Sequence, residues 1–153
     1  MALSRKVVVY TRDDNQKGLR AAAEISQGEI LIRYDGPILH HPTRYSIQID
    51  DDQHIEGTEE SNAFLNHSCA PNAYVDWSGV YLRALRDIRA GEEITCNYLT
   101  TDYELHEKFT CHCGSPKCHG AIKGFRYLNR EQQLELERFL PPFLKRKIEA
   151  SPR

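Results

Sequence analysis

No stretch of this chain is apolar for long enough to cross a bilayer. The longest run, around Val7 to Tyr10, is far below the roughly 20 residues that a spanning helix needs. The first residues, Met1 to Lys6, lack a charged-then-apolar leader and run straight into a strand-like segment, so the expected setting is intracellular: nuclear in a eukaryote, cytoplasmic or delivered into a host cell in a bacterium. Nor does one sign of charge dominate, because 20 Lys and Arg against 22 Asp and Glu leave a formal net charge of −2. A general nucleic-acid binder carries a basic excess, so neither a direct nucleic-acid partner nor a membrane is expected. Cysteine is sparse as well, and five of them without a secretory signal do not make a disulfide framework. What is present is 153 residues, 40% of them apolar, which suits one compact domain with a buried core rather than a disordered tail.

Short β-branched and aromatic segments fill most of the chain. Residues 7–11, 29–34, 45–49, 73–76, 80–84 and 94–98 read as strands punctuated by Gly, Asp, Asn and Pro. Residues 45–49 alternate as a half-buried strand does, and Asp50 to Gln53 reads as a tight polar turn. The segments 23–30 and 86–94 echo one another: in each an Ile stands three residues before a Gly, with an acidic residue and a strand after it. Both read as turns whose Gly takes a backbone angle other residues avoid. The C-terminal part differs. Asn129 with Gln132 three residues later forms a helix cap, and residues 131–140 favour helix until Pro141 and Pro142 break the run. A helix, a break and a short further helical turn are expected, with Lys145 to Lys147 as a solvated end.

Three local patterns carry chemistry. In Cys111-His-Cys113-Gly-Ser-Pro-Lys-Cys118 a turn lets three thiols converge on one ion. Zinc takes four ligands, so one more must come from elsewhere, with His112 and His119 adjacent. Unligated clustered thiols would instead be open to oxidation. Asn66 to Asn72, following Phe64 and Leu65, is a polar loop around Pro71 whose Asn and His side chains can bond a polar ligand or simply order a turn. Gly91 to Tyr98 is a strand that ends in a tyrosine.

In this order and spacing the three patterns resemble the SET-domain lysine methyltransferases, over roughly residues 5 to 124. Asn66, His67, Ser68, Cys69, Pro71 and Asn72 match the family's NHSC-x-PN motif. Gly91 to Thr95 with Tyr98 match its GEE-[IL]-T-x-x-Y motif, and Cys111, Cys113 and Cys118 match its post-SET cysteines. Residues 16–29 match the family's glycine-containing cofactor segment more weakly. The resemblance implies a mostly β fold of several small antiparallel sheets with a knot-like C-terminal threading, a post-SET zinc loop and a C-terminal helix. The implied organisation is a core over 5–108, a zinc segment over 109–124 and a helical extension over 125–150, with no pre-SET segment.

The implied activity is transfer of a methyl group from S-adenosylmethionine to a protein lysine, for which a histone tail is a candidate substrate. Lys17, Gly18, Leu19, Asn66, His67, Ala121 and Ile122 are the implied cofactor residues. Tyr98 is implied at the transfer site, and Tyr45, placed on the alternating strand, at the wall of the lysine channel. Cys69 is the implied fourth ligand of one structural zinc, beside Cys111, Cys113 and Cys118. Cys96 stands where the family usually has an aromatic residue, and its smaller side chain leans towards di- or trimethylation. Gln16, Arg20, Ala63 and the pair Glu59 and Glu60 depart from the family pattern. The acidic residues Asp50, Asp51, Asp52, Glu56, Glu59 and Glu60 form either a solvated turn or a lip for a basic peptide. Two rival readings belong to other classes: a catalytically silent, zinc-stabilised peptide-binding module, and a redox-active cysteine protein. Cofactor binding separates the first from an enzyme, and zinc content the second.

Overall fold

The computed structural model describes residues 3–58 and 62–150, without the side chains of residues 149 and 150; Glu59 and Glu60 lie outside the described residues. Four small sheets make up the body. The first joins β1 (Val7–Thr11), β2 (Lys17–Ala21), β10 (Glu93–Cys96) and β7 (Asn66–His67) in that order, and the second joins β3 (Ile30–Arg33), β9 (Tyr81–Ala84) and β8 (Ala73–Asp76). The third contains β4 (Ile38–Leu39), β6 (Gln53–Ile55) and β5 (Ile47–Asp50), and the fourth pairs β11 (Phe109–Thr110) with β12 (Ala121–Ile122). All pairings are antiparallel except β7 with β10. That parallel contact brings the loop after Asn66 against the segment that leads to Tyr98.

Alternation builds the core. Strands β8 and β9 bury Ala73 and Val75, and Leu82 and Ala84, on one face, and these pack with Leu19, Leu31, Ile32 and Ile94 in the main cluster. The two echoing turns face each other. Ile25 and Ile88 exchange both backbone hydrogen bonds at 2.9 Å, and Gly28 and Gly91 have φ of 88° and 90°, the left-handed region that glycine enters without steric cost. Each turn is closed in the same way: the Ser26 N–H donates to Glu29 Oε1 and the Arg89 N–H to Glu92 Oε1, both at 3.0 Å.

Three local expectations change. Residues 17–21 form a strand absent from the sequence reading, because Asn15, at φ 65°, turns the chain back so that Lys17 to Ala21 pair with Thr11 to Val7. The strand expected over 45–49 starts only at Ile47, because Thr43 and Ser46 close a turn in which the Thr43 N–H donates to Ser46 Oγ at 2.7 Å. Tyr45 therefore stands in that turn and not on the strand. The strand expected to reach Tyr98 ends at Cys96, where Asn97 caps a short 3-10 turn by accepting the Leu99 N–H at 3.0 Å.

At the C-terminal end, Asn129 and Gln132 form the expected capping box of α1 (Arg130–Glu135). The chain breaks at the prolines, but the second helix, α2 (Pro142–Ala150), is the longer of the two. Pro142 sits in its first turn, where a missing N–H is harmless. Phe143, Leu144 and Ile148 of α2 bury against Phe125 and Leu140 as a second core.

Candidate active site and metal centre

The Asn66 loop is held onto β10 by side chains as well as backbone. Asn72 acts as a stand-in strand: its Nδ2 donates to the Glu93 carbonyl at 2.8 Å and its Oδ1 accepts the Thr95 N–H at 2.9 Å. The Tyr98 N–H donates to His67 Nδ1 at 3.0 Å, so the ring proton belongs on Nε2, which lies 3.3 Å from Cys69 Sγ. Burial, with His119 nearby, pulls the His67 imidazole down to about 4, so at neutral pH it is an uncharged spacer between the tyrosine and the cysteines. Phe109 completes an edge-to-face cluster, its ring centroid 5.7 Å from His67 and 5.9 Å from Tyr98.

Tyr98 points into a cleft that Tyr34, Tyr45, Leu65, Cys96 and Asp102 also line. Its hydroxyl donates to the Leu65 carbonyl. Burial raises the Tyr98 phenol well above its usual range, and neighbouring Cys96 and Asp102 add to this. Burial likewise pushes the Cys96 thiol up to about 12. Asp102 is 3% exposed; burial pushes its carboxyl up to about 6 despite the opposing hydrogen bond from the Gln48 N–H, which measures 3.0 Å. The cleft mouth carries the exposed ion pair of Arg44 with Glu107 at 3.1 Å, and the Arg44 guanidinium lies over the Tyr45 ring.

The sulfur atoms of Cys69, Cys111, Cys113 and Cys118 lie within 4.8 Å of one another. Four thiolates at about 2.3 Å around a tetrahedral ion stand about 3.8 Å apart, and Cys69 Sγ lies 3.9 Å from Cys111 Sγ. The donor set therefore suits a soft, four-coordinate metal. The group gathers cysteines alone: the His119 N–H points at Cys69 Sγ at 3.4 Å, and His112 is exposed.

The residues expected to hold a cofactor divide. A Cβ on Gly18 would sit 2.7 Å from Glu93 Oε2 and 3.1 Å from Asn66 Nδ2, so only glycine lets these polar groups crowd the strand. Asn66 Nδ2 donates to the Lys17 carbonyl at 3.0 Å and to Glu93 Oε2 at 2.9 Å. Amide, carboxylate and carbonyl together make a set suited to a zwitterionic amino-acid head, and the residues present fit such a group. Leu19 and Ile122 are instead fully buried, Leu19 in the main core and Ile122 beside Leu99 and Cys111, while Ala121 is exposed. Among the departures from the family pattern, Arg20 lies over the Tyr10 ring and Ala63 lines the cleft.

The acidic lip is largely taken up within the chain. Arg146 pairs with Asp50 at 3.5 Å, Lys147 with Asp51 at 2.7 Å and His40 with Asp52 at 3.3 Å. Of the end read from the sequence as solvated, Arg146 and Lys147 thus reach this turn, while Lys145 is exposed. Sequence reasoning missed Tyr34, Asp102 and Phe109. Asp102 follows two threonines in a polar run that reads as a loop, and nothing local marks it as buried.

Residues 16–99 match the SET domain family. The chain is 34% identical over 152 residues to a histone-lysine N-methyltransferase, H3 lysine-36 specific, of Coccidioides immitis, an alignment that covers 84% of this chain and 15% of that protein. It is 33% identical over 145 residues to the histone-lysine N-methyltransferase trithorax of Drosophila virilis, covering 80% of this chain and 4% of that one. The chain thus spans only a small part of these relatives. Among solved structures, KRYPTONITE in complex with mCHH DNA, an H3(1-15) peptide and SAH shares the fold with a TM-score of 0.64 at 23% identity, over 78% of this chain and 30% of that one. No helix among the described residues is long and apolar enough to cross a membrane.

Proposed function

Because the chain belongs to the SET domain family, we propose that it methylates the side chain of a protein lysine, with a histone tail as substrate, S-adenosylmethionine as methyl donor and one structural zinc. The reading rests above all on one observation: a buried tyrosine hydroxyl, an aromatic-walled cleft and a four-cysteine cluster are tied together through His67. On this reading residues 5–108 are the catalytic core, 109–124 the zinc segment and 125–150 a supporting extension.

S-adenosylmethionine, when bound, supplies a methyl group on a positively charged sulfur. Gly18, Asn66 and the Lys17 carbonyl would hold its amino-acid part, with Glu93 beside them, and His67 and the exposed Ala121 would flank it. Tyr45 and Tyr98 grip the apolar stem of the substrate lysine, and Cys96 with Tyr34 bounds the space for methyl groups on the amine. A free lysine has a pKa of about 10.4, and stripping water from it in a closed channel favours the neutral amine. Held in line by the two tyrosines, the amine gains from fixed geometry up to roughly 7–11 kcal/mol of the barrier. Tyr98 acts here by position and dipole, since its proton is committed to the Leu65 carbonyl. Zinc on Cys69, Cys111, Cys113 and Cys118 would pin β11 and β12 over the Asn66 loop.

The test is transfer of a tritiated methyl group to core histones by zinc-replete protein, with cofactor binding measured by calorimetry. Labelling that requires Tyr98 supports the reading. Zinc-replete protein that binds no cofactor and labels no polypeptide is instead the silent peptide-binding module.

A further inference from the structure

One group in the cleft has no part in the mechanism above. Asp102 is a buried carboxylate that lines the same space as Tyr98, Tyr45 and Cys96. It forms none of the ion pairs among the described residues. Burying a carboxylate without a cation is costly, yet hydrogen bonds to two segments, β5 and the C-terminal extension, fix this one in place. The Gln48 N–H of β5 donates to its Oδ1 at 3.0 Å, the Phe125 N–H of the C-terminal extension donates to its carbonyl at 3.0 Å, and Gln48 Oε1 accepts the N–H of the next residue, Tyr103, at 2.9 Å. The titratable groups that share its surroundings, Cys96, Tyr98 and Tyr34, are all neutral at physiological pH, raised first of all by burial. Arg44, Glu107 and His106 also line the cleft, with Arg44 committed to Glu107 at 3.1 Å, so the buried Asp102 carboxylate is left without an ion-pair partner among the described residues, in a channel that on the reading above receives a lysine.

We propose that Asp102 receives the ammonium group of the substrate lysine in this cleft and takes up its proton. The inference rests on the lysine-methyltransferase reading and assigns to it a proton acceptor. In water the ammonium is the weaker acid by far. Inside the cleft both charges lose solvent, and passing one proton from nitrogen to a carboxylate oxygen turns a buried ion pair into two neutral groups. The N–H bond breaks, the O–H bond forms, and the electron pair left on nitrogen attacks the methyl carbon as the carbon–sulfur bond of the donor breaks, its electron pair staying on the sulfur to leave SAH. The methylated amine departs as a cation, and the carboxyl returns its proton to solvent.

Asp102→Asn keeps the oxygen that accepts from Gln48 and removes only the charge. Two measurements on it, both with the full chain, test the proposal. The first is binding, in the presence of SAH, of an H3 peptide spanning lysine-36 and of the same peptide with norleucine at that position. The wild type should prefer lysine by tenfold or more, and the variant should lose that preference while holding zinc and SAH normally. The second is the pH profile of kcat/KM, in which the deficit of the variant should shrink as pH rises from 7 to 9 and the free lysine loses its proton unaided. Equal binding of both peptides by the wild type, an unchanged preference in the variant, or a deficit that does not vary with pH overturns the proposal. A wild-type protein that labels no histone overturns the methyltransferase reading itself, whereas histone labelling by a wild type indifferent to lysine or norleucine sinks the role of Asp102 alone.

Discussion

Tyr98 and Asp102 are neighbours in one cleft with opposite electrostatic histories. Tyr98 keeps its proton, since burial raises it and the Leu65 carbonyl accepts it, so loss of its hydroxyl removes a fixed dipole rather than a base. Tyr98→Phe is expected to lower turnover by roughly 10²–10³, the scale of one lost preorganised donor, with zinc content and cofactor affinity intact; near-normal turnover would remove Tyr98 from the transfer site. Asp102 carries a stability cost. Burial raises its carboxyl to about 6 in the folded protein, from an ordinary value of about 3.9, so its burial is harmless below pH 4, where both states hold the proton. The penalty grows as pH rises between about 4 and 6 and is constant above that, at roughly 3 kcal/mol. Asp102→Asn should therefore gain stability on the wild type across that window, read as urea midpoints at pH 4 and pH 8. A gap independent of pH would show that the carboxyl is not raised.

Among the elements, the four-cysteine segment and the paired turns depend on different physics. The short pairing of β11 with β12 is too small a hairpin to hold by itself, and Cys69 joins it to a loop more than 40 residues earlier in the chain. Cys69→Ser is expected to lose the metal and open residues 105–124 to limited proteolysis, whereas Cys96→Ser, outside the group of four sulfurs, should keep full zinc stoichiometry. Equal zinc loss in both variants would disprove the four-cysteine site. In the paired turns, a Cβ on Gly28 or Gly91 would meet nothing within 4 Å, so Gly91→Ala should cost only the left-handed backbone, about 1–2 kcal/mol in denaturant titration.

What could be read from the sequence follows the same division. Strands rich in β-branched or aromatic residues, such as Val7–Thr11 and Ala73–Asp76, stand where that composition put them. The two-residue strands β4, β7, β11 and β12 are too short to carry a period, and their partners decide them. Three of the four clustered cysteines announce themselves by spacing, and the fourth, Cys69, came only from resemblance to the family. Asp102 was invisible, since its burial is imposed by Gln48 and Phe125, 54 residues before and 23 residues after it.

On the scale of the whole molecule, the C-terminal extension is part of the structure behind the cleft. Its first turn bonds the Asp102 backbone through the Phe125 N–H, its 3-10 segment (Glu137–Phe139) accepts the Trp77 indole N–H at the Phe139 carbonyl, 2.9 Å away, and α2 places Arg146 and Lys147 on the acidic turn. Two forces could hold it there, and their sizes decide which dominates. Exposed ion pairs contribute about 0–1 kcal/mol, and Asp50 and Asp51 are both largely exposed. Phe143 is 1% exposed and packs with Phe125, Leu140, Leu144 and Ile148, and truncating such a ring costs about 3–5 kcal/mol. Phe143→Ala should therefore destabilise the protein by that amount and weaken lysine binding in the cleft, because the turn that backs Asp102 is released. Lys147→Ala should change stability by no more than about 1 kcal/mol, an effect that added salt erases. If Lys147→Ala proved the more damaging of the two, the extension would be held by charge rather than by its apolar face, and the proposed support of the cleft would have to run through Asp51 instead of Phe125.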